Sequence, residues 1–345
     1  MTDVKLMKRL CNLRGVSGFE GEVREFIISQ IKDCADELTV DKMGNIIAFK
    51  KGARRPSQKL MISAHMDEVG FIVTGIMDDG LLKIGTVGGF DARVLSGRAV
   101  TVGDNAVSGV IGCKPIHLTD SKEREATPEV KNLCVDIGAA SKEDAEKYVA
   151  LGDMVCFDSI FEADDYRIMG KALDDRAGCY ILIQMLKNDL PYDMYFTFVV
   201  QEEIGLRGAK AAAFQVDPDA AIVVESTTAC DIPNAGDNDK MCMMGEGAVI
   251  SFMDKRTVYD KEYYKLALKC GRDVGVKTQL KAGVAGGNDA GSIHVSRSGV
   301  RTVAISYPCR YLHSALSMIA ADDVEAVYKT VIKTAEKIAG SMADN

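Results

Sequence analysis

The 345-residue chain reads as an α/β protein interrupted by a small β-rich insert, and three observations predict this. After residue 165, near-continuous apolar runs alternate with amphipathic ones, as in a sheet covered by helices on both faces. From about residue 70 to 164, short β-type runs are punctuated by glycine, the texture of a small barrel or sandwich. The length also exceeds one ordinary domain and leaves room for a core and an accessory unit.

The opening segment predicts a helix, a turn and the amphipathic helix GEVREFIISQIKDCA. The strand DKMGNIIAFK follows, with the turn Met43-Gly44-Asn45 inside it. KLMISAH is the next strand. In the insert, GFIVTGI, LLKIGTV, GRAVTVG, AVSGVIGC and DMVCFDS read as strands and SKEDAEKYVALG as a helix. No Pro- or Ser-rich linker flanks it, so the junctions are short. Beyond it come helix DRAGCYILIQMLKN, strand MYFTFVVQ, helix GLRGAKAAAFQ and strand AAIVVE. Helix DKEYYKLALKCGRDVG, strand KTQLKAG, helix DAGSIHVSRSG, strand TVAISY and a final helix from Asp322 complete the chain. The division predicted is a main domain of residues 1–69 and 165–345 around an insert of 70–164.

A hydrophobic content of 47% and a charged content of 27% are ordinary for a globular protein. The net charge of −8 argues against nucleic acid or an anionic membrane as partner. The N-terminal residues lack a signal-peptide core, and no stretch approaches the ~18–20 apolar residues of a membrane helix. Ten cysteines without a C-x-x-C pair suit reduced thiols and a cytoplasmic location.

Ligands of open α/β sheets bind at the carboxyl ends of strands. The polar residues predicted there are His65 and Asp67, Glu202 and Glu203, Glu225, and His313, with Asp174 and Asp175 at a helix start. Two imidazoles with three carboxylates suit a pair of zinc, cobalt or manganese ions. One aspartate bridging the pair leaves room for a shared water as nucleophile. The adjacent Glu202 and Glu203 cannot both bind one ion from a regular strand. At a strand end one can ligate while its neighbour acts as general base. Asp67 is placed to orient His65 or the metal. Taken singly, each residue has an ordinary reading: a structural histidine, a solvated glutamate pair, an Asp174 helix cap. Their convergence on one edge is what points to a metal centre. Cys309, four residues before His313, offers a Cys–His pairing that spacing alone does not support. His117 and His294 read as structural.

HMDEVGF, ALDDRAG, VVQEEIGLRGAK and CRYLHSALSMI, in this order, closely resemble the M42 metallo-aminopeptidases, the glutamyl or tetrahedral aminopeptidase family. GVSGFEGEVREF, GGFDARVLSGRAVTV and AGGNDAGSIHVSRSGV resemble further signatures of it, so the similarity spans essentially the whole chain. The resemblance implies a zinc-peptidase-like mixed sheet covered by helices, with an inserted PDZ-like or barrel-like domain that mediates dimerisation. It further implies assembly into a tetrahedral dodecamer. It implies two divalent metal ions per subunit, held by His65, Asp174 (the bridge), Glu203, Glu225 and His313. Glu202 matches the general base that works on the metal-bridging water, and Asp67 the acid that orients His65. Two departures stand out: Glu225 where many relatives have Asp, and Asn288 in place of the more usual Thr in GG-x-DA.

The expected activity is release of N-terminal residues from short peptides. A related two-metal amide hydrolase, a carboxypeptidase or deacylase, uses similar ligands and remains the alternative. A glycoside hydrolase needs two flanking carboxyls ~5–10 Å apart and has no use for the histidines. A self-assembling or peptide-binding protein without catalysis has no reason to keep the full ligand set.

Overall fold

The computed structural model describes residues 2–236 and 239–343. An eight-stranded mixed sheet forms the main body, in the order Glu37–Val40, Ile46–Lys50, Met194–Val199, Leu60–His65, Ala220–Thr228, Arg301–Cys309, Ala248–Ile250 and Thr278–Leu280. Its four central strands, Met194–Val199 through Arg301–Cys309, run parallel. All four therefore present their carboxyl ends at one edge.

Alternation along each strand divides the side chains between two faces. Leu60, Ile62 and Ala64 join Phe196, Phe198, Ile222, Val224, Val303 and Ile305 in the larger core. That core is covered by helices Val4–Asn12, Gly21–Ile31, Leu173–Lys187, Lys261–Asp273 and Ala321–Ala343. Met61, Val199, Ala221, Val223 and Ala304 face the other way, against helices Arg207–Val216 and Ala290–Ile293. Small residues Ala209, Ala212 and Ala213 bring the first of these close to the sheet. The helix-covered α/β body is thus as expected.

The expected barrel or sandwich is a closed six-stranded barrel. Its strands run Gly70–Ile76, Leu82–Val87, Cys134–Asp136, Val107–Gly112, Ala99–Val102 and Met154–Phe157 around the wall. Closure leaves no free edge, and the interior has its own core, in which Phe71, Phe90 and Phe157 pack ring to ring. Arg14 ties the barrel to the main body by donating to the Gly103 and Asp104 carbonyls.

Several elements differ from expectation. SKEDAEKYVALG is helical only over Lys142–Ala145, and DAGSIHVSRSG only over Ala290–Ile293. In the second case the chain turns at Arg297 and Gly299, both left-handed. Strands Glu37–Val40, Ala248–Ile250 and Ser317–Ala320 were not anticipated. Among the described residues no helix is long and apolar enough to cross a membrane.

A buried charge cluster locks the elements beneath the sheet edge. Glu68, 2% exposed, accepts from Lys171 at 2.7 and 2.8 Å, from Arg176 at 3.1 Å and from the Gly15 amide. Arg176 also donates to the Met66 and Leu10 carbonyls. Removing one partner of a buried pair costs about 3–5 kcal/mol, because the other charge stays unpaired. Glu68→Ala leaves two such cations, so urea unfolding of this variant should show a loss at the upper end of that range. A loss below about 1 kcal/mol would remove the cluster as a lock.

Candidate metal centre

Strand pairing explains how the centre assembles. Val199 pairs with His65, and Val223 with Ser63, so Glu225 stands two residues on, on the face that His65 occupies. Glu202 and Glu203 follow the end of the Met194–Val199 strand, and His313 follows that of Arg301–Cys309. Asp174 enters from the first turn of Leu173–Lys187, where Asp174 and Asp175 depart from helical geometry. The segments that present these groups carry left-handed non-glycine residues at Ala172, Gln201, Leu206, Tyr311 and His313. Such backbone costs of order 1 kcal/mol per residue, and here it is concentrated around one site.

All five expected ligands come together in two triads. His65 Nε2 lies 3.3 Å from Asp174 Oδ1 and 3.6 Å from Glu225 Oε1. His313 Nε2 lies 3.5 Å from Asp174 Oδ2 and 3.2 Å from Glu203 Oε2. The two oxygens of Asp174 thus face different histidine–carboxylate pairs. Each triad has one donor atom per residue within 4.8 Å of the others, and Glu202 forms a third such group with His65 and Glu203.

Asp67 is fully buried and supports this arrangement from behind. Its carboxylate accepts from the Glu202 amide at 2.9 Å, the Glu203 amide at 3.1 Å and the Ser17 hydroxyl at 2.6 Å. His65 Nδ1 lies 3.1 Å from the Asp67 carbonyl and 3.4 Å from its carboxylate. With Nδ1–H so engaged, Nε2 keeps its lone pair for the cluster. Asp175, also fully buried, accepts from the His65 amide at 3.1 Å and the Tyr307 hydroxyl at 2.7 Å.

The donor set fits a divalent cation. Asp174 Oδ1 is buried and makes no hydrogen bond, which costs energy in a dry site unless a cation faces it. Mixed imidazole and carboxylate donors suit zinc, cobalt and manganese.

The protein groups alone are electrostatically in conflict. Burial pushes Glu202 well above the usual range, with His65 opposing and Asp289, Asp67 and Asp174 adding. Burial and Asp174 do the same to Glu203, and burial with Asp175 and Asp174 to Glu225. For Asp174 burial is outweighed by His313 and His65, which hold it well below its ordinary value. Burial opposes protonation of His65, yet Glu225, Asp174 and Asp67 raise it well above the normal value. His313 rises to about 9 as Asp174 and Glu203 outweigh burial.

These shifts give chelated protein a definite pH dependence. A group raised in the fold stabilises it below the unfolded value and loses that contribution as pH climbs through the folded one. Burial raises Glu20 from 4.5 and Asp289 from 3.8 to about 7, so they act between about pH 4 and 7. His313 acts between 6.5 and about 9. Asp67 and Asp174 are lowered and act only below about pH 4. Thermal stability in chelator should therefore fall from pH 5 to pH 9, by up to about 1.4 kcal/mol per pH unit for the buried Glu20 and Asp289 and by less for His313, whose side chain is 38% exposed and screened by solvent. A flat or rising melting temperature across that window would contradict the electrostatics.

Ser17, Glu68, Lys171 and Asp289 belong to the surroundings and were not singled out from sequence. Asp289 is 1% exposed with both carboxylate oxygens unbonded, and it acts electrostatically on Glu202. The available signal was an acid inside the quoted AGGNDAGS stretch. Asn288 accepts from the Ala290 amide at 3.0 Å and pairs with Tyr259 at 3.1 Å, so it closes this turn. Cys309 is fully buried and its thiol is pushed far up by burial, which removes it as a nucleophile. His294 Nδ1 engages the Ala290 carbonyl at 2.7 Å. His117, expected to be structural, lies exposed on a short turn of the barrel.

Known proteins share the sequence pattern and the fold. Residues 44–330 match the family model described as M42 glutamyl aminopeptidase. The lysyl aminopeptidase of Pyrococcus furiosus is 33% identical over 339 residues, covering 95% of each chain. A TET aminopeptidase from a marine sediment archaeon, Thaumarchaeota archaeon SCGC AB-539-E09, superposes with a TM-score of 0.94 at 34% identity, over 99% of this chain and 97% of that one. The Pyrococcus horikoshii TET1 peptidase, described as assembling into a tetrahedron or a large octahedral shell, gives 0.85 at 34%, over 96% and 98%. A match over this much of the sequence, together with a fold shared nearly end to end, places the chain in the M42 family of aminopeptidases.

Proposed function

We propose that this M42 aminopeptidase hydrolyses the N-terminal bond of short peptides with two divalent cations at the centre. His65, Asp174 and Glu225 would hold one cation, and Asp174, Glu203 and His313 the other. Zinc is the first choice, with cobalt and manganese as alternatives. When bound, the pair supplies Lewis-acid polarisation of the scissile carbonyl and an anchor for the free amine. The observation that carries this reading is the placing of the two Asp174 oxygens, each beside a different histidine.

Glu202 is the general base. Its side chain gathers with those of His65 and Glu203 at the same cluster, which suits a group that takes a proton from the attacking water and returns it to the leaving amine. Asp67 fixes the backbone of Glu202 and Glu203 and the ring of His65. We further assign residues 1–69 and 165–345 to the catalytic domain and 70–164 to a dimerisation domain. The P. horikoshii relative, which forms closed shells, supports self-association to dimers and a tetrahedral dodecamer.

The test is a pair of substrates, an aminoacyl p-nitroanilide with a free amine and its N-acetylated counterpart. Cleavage of the first alone, abolished by chelator and restored by cation, is expected. Preferential cleavage of the blocked compound would favour the deacylase alternative.

A further inference from the structure

The carboxylate shared by the two triads has little support of its own. Among the described residues Asp174 Oδ1 is buried without a hydrogen bond, and its two oxygens face the histidines of the centre itself. Where each oxygen points is therefore set by the backbone that carries it. That backbone is irregular, since Asp174 and Asp175 both depart from helical torsions within Leu173–Lys187. Helical hydrogen bonding alone does not fix it.

Tyr307 holds this stretch from the neighbouring strand. It continues Val303 and Ile305 on the face of Arg301–Cys309 that joins the larger core, and it is fully buried. A phenylalanine would fill the same core position, whereas a buried hydroxyl is costly unless it is bonded. The Tyr307 hydroxyl lies 2.7 Å from the Leu173 carbonyl and 2.7 Å from Asp175 Oδ1, so its proton is shared between acceptors on either side of Asp174. Asp175 in turn accepts from the His65 amide and the Gly178 amide, each at 3.1 Å. One phenol thus clamps the chain before and after the shared carboxylate, and through Asp175 it reaches the backbone of His65. A cavity of about 860 Å³ opens beside the centre, with His65, Asp174 and Glu225 in its wall. Tyr307, fully buried, lies behind that wall and touches no substrate.

We propose that Tyr307 is a positioning residue for the cation bridge: it fixes the direction of Asp174 and thereby the affinity of both triads for their cations. This rests on the two-cation reading above. A supporting group behind a metal ligand is worth about 10- to 100-fold in affinity. Because Asp174 serves both triads, the loss should fall on both cations.

The test titrates chelated protein with zinc by isothermal calorimetry, with circular dichroism of the same samples to show that each is folded. Tyr307→Phe keeps the ring in the core and should bind both cations about 10- to 100-fold more weakly than wild type. Tyr180, on the same helix, accepts from the Asp3 amide instead, so Tyr180→Phe should bind zinc as wild type does. Asp175→Asn weakens the same clamp from its other end and should lower both affinities, which keeps the test decisive where Tyr307→Phe does not fold. Wild-type affinity in folded Tyr307→Phe, a loss confined to one cation, or an equal loss in Tyr180→Phe overturns this proposal alone. Wild-type affinity in Asp175→Asn does the same. A wild-type protein that binds no zinc tightly overturns it together with the two-cation reading.

Discussion

Glu202→Gln is expected to keep the fold and the bound cations while kcat falls by about 10²–10⁴-fold, the usual worth of a positioned acid–base group. The substitution preserves the shape of the side chain and its amide bond to Asp67, so the ligand segment stays in place. It removes the ability to accept a proton from water. KM should change little, because the group works on the proton rather than on binding. Steady-state kinetics beside metal analysis of the same sample checks both halves. Normal turnover removes Glu202 as the base, and loss of metal together with activity would reassign it to the ligand set.

Asp174→Ala should have the other large effect, and a different signature. Its two oxygens serve both triads, so one substitution strips a donor from each. Losing even a supporting group behind a metal ligand costs about 10- to 100-fold in affinity, and a shared ligand should cost more than that. Activity should become undetectable at cation concentrations that saturate wild type. Isothermal titration of the chelated variant gives the affinity directly. Wild-type affinity in this variant would show that Asp174 does not bridge.

Much of this was legible in the sequence, for a physical reason. A central parallel strand is buried on both faces and reads as an unbroken apolar run, so KLMIS, FTFVV and AAIVV mark their own ends. His65, Glu202 and Glu203 sit just where those runs stop. Glu225 lies within its strand, Ala220–Thr228, two residues past the point that the pairing with Ser63 fixes.

What could not be read depends on tertiary pairing or on very short elements. Ala248–Ile250 is three residues long, too short for a period to emerge from its surroundings. Glu68, Lys171 and Arg176 look like surface charges in sequence, and only the packing of four segments makes them a buried cluster.

If the two triads hold two cations, peptide trimming should depend on both of them. The most direct measurement titrates chelated protein with zinc, cobalt or manganese, following cation bound per chain and release of the N-terminal residue in the same series. Activity should rise with occupancy and saturate at two cations per chain. A chain that binds no cation tightly, or that trims peptides equally well in excess chelator, would contradict it.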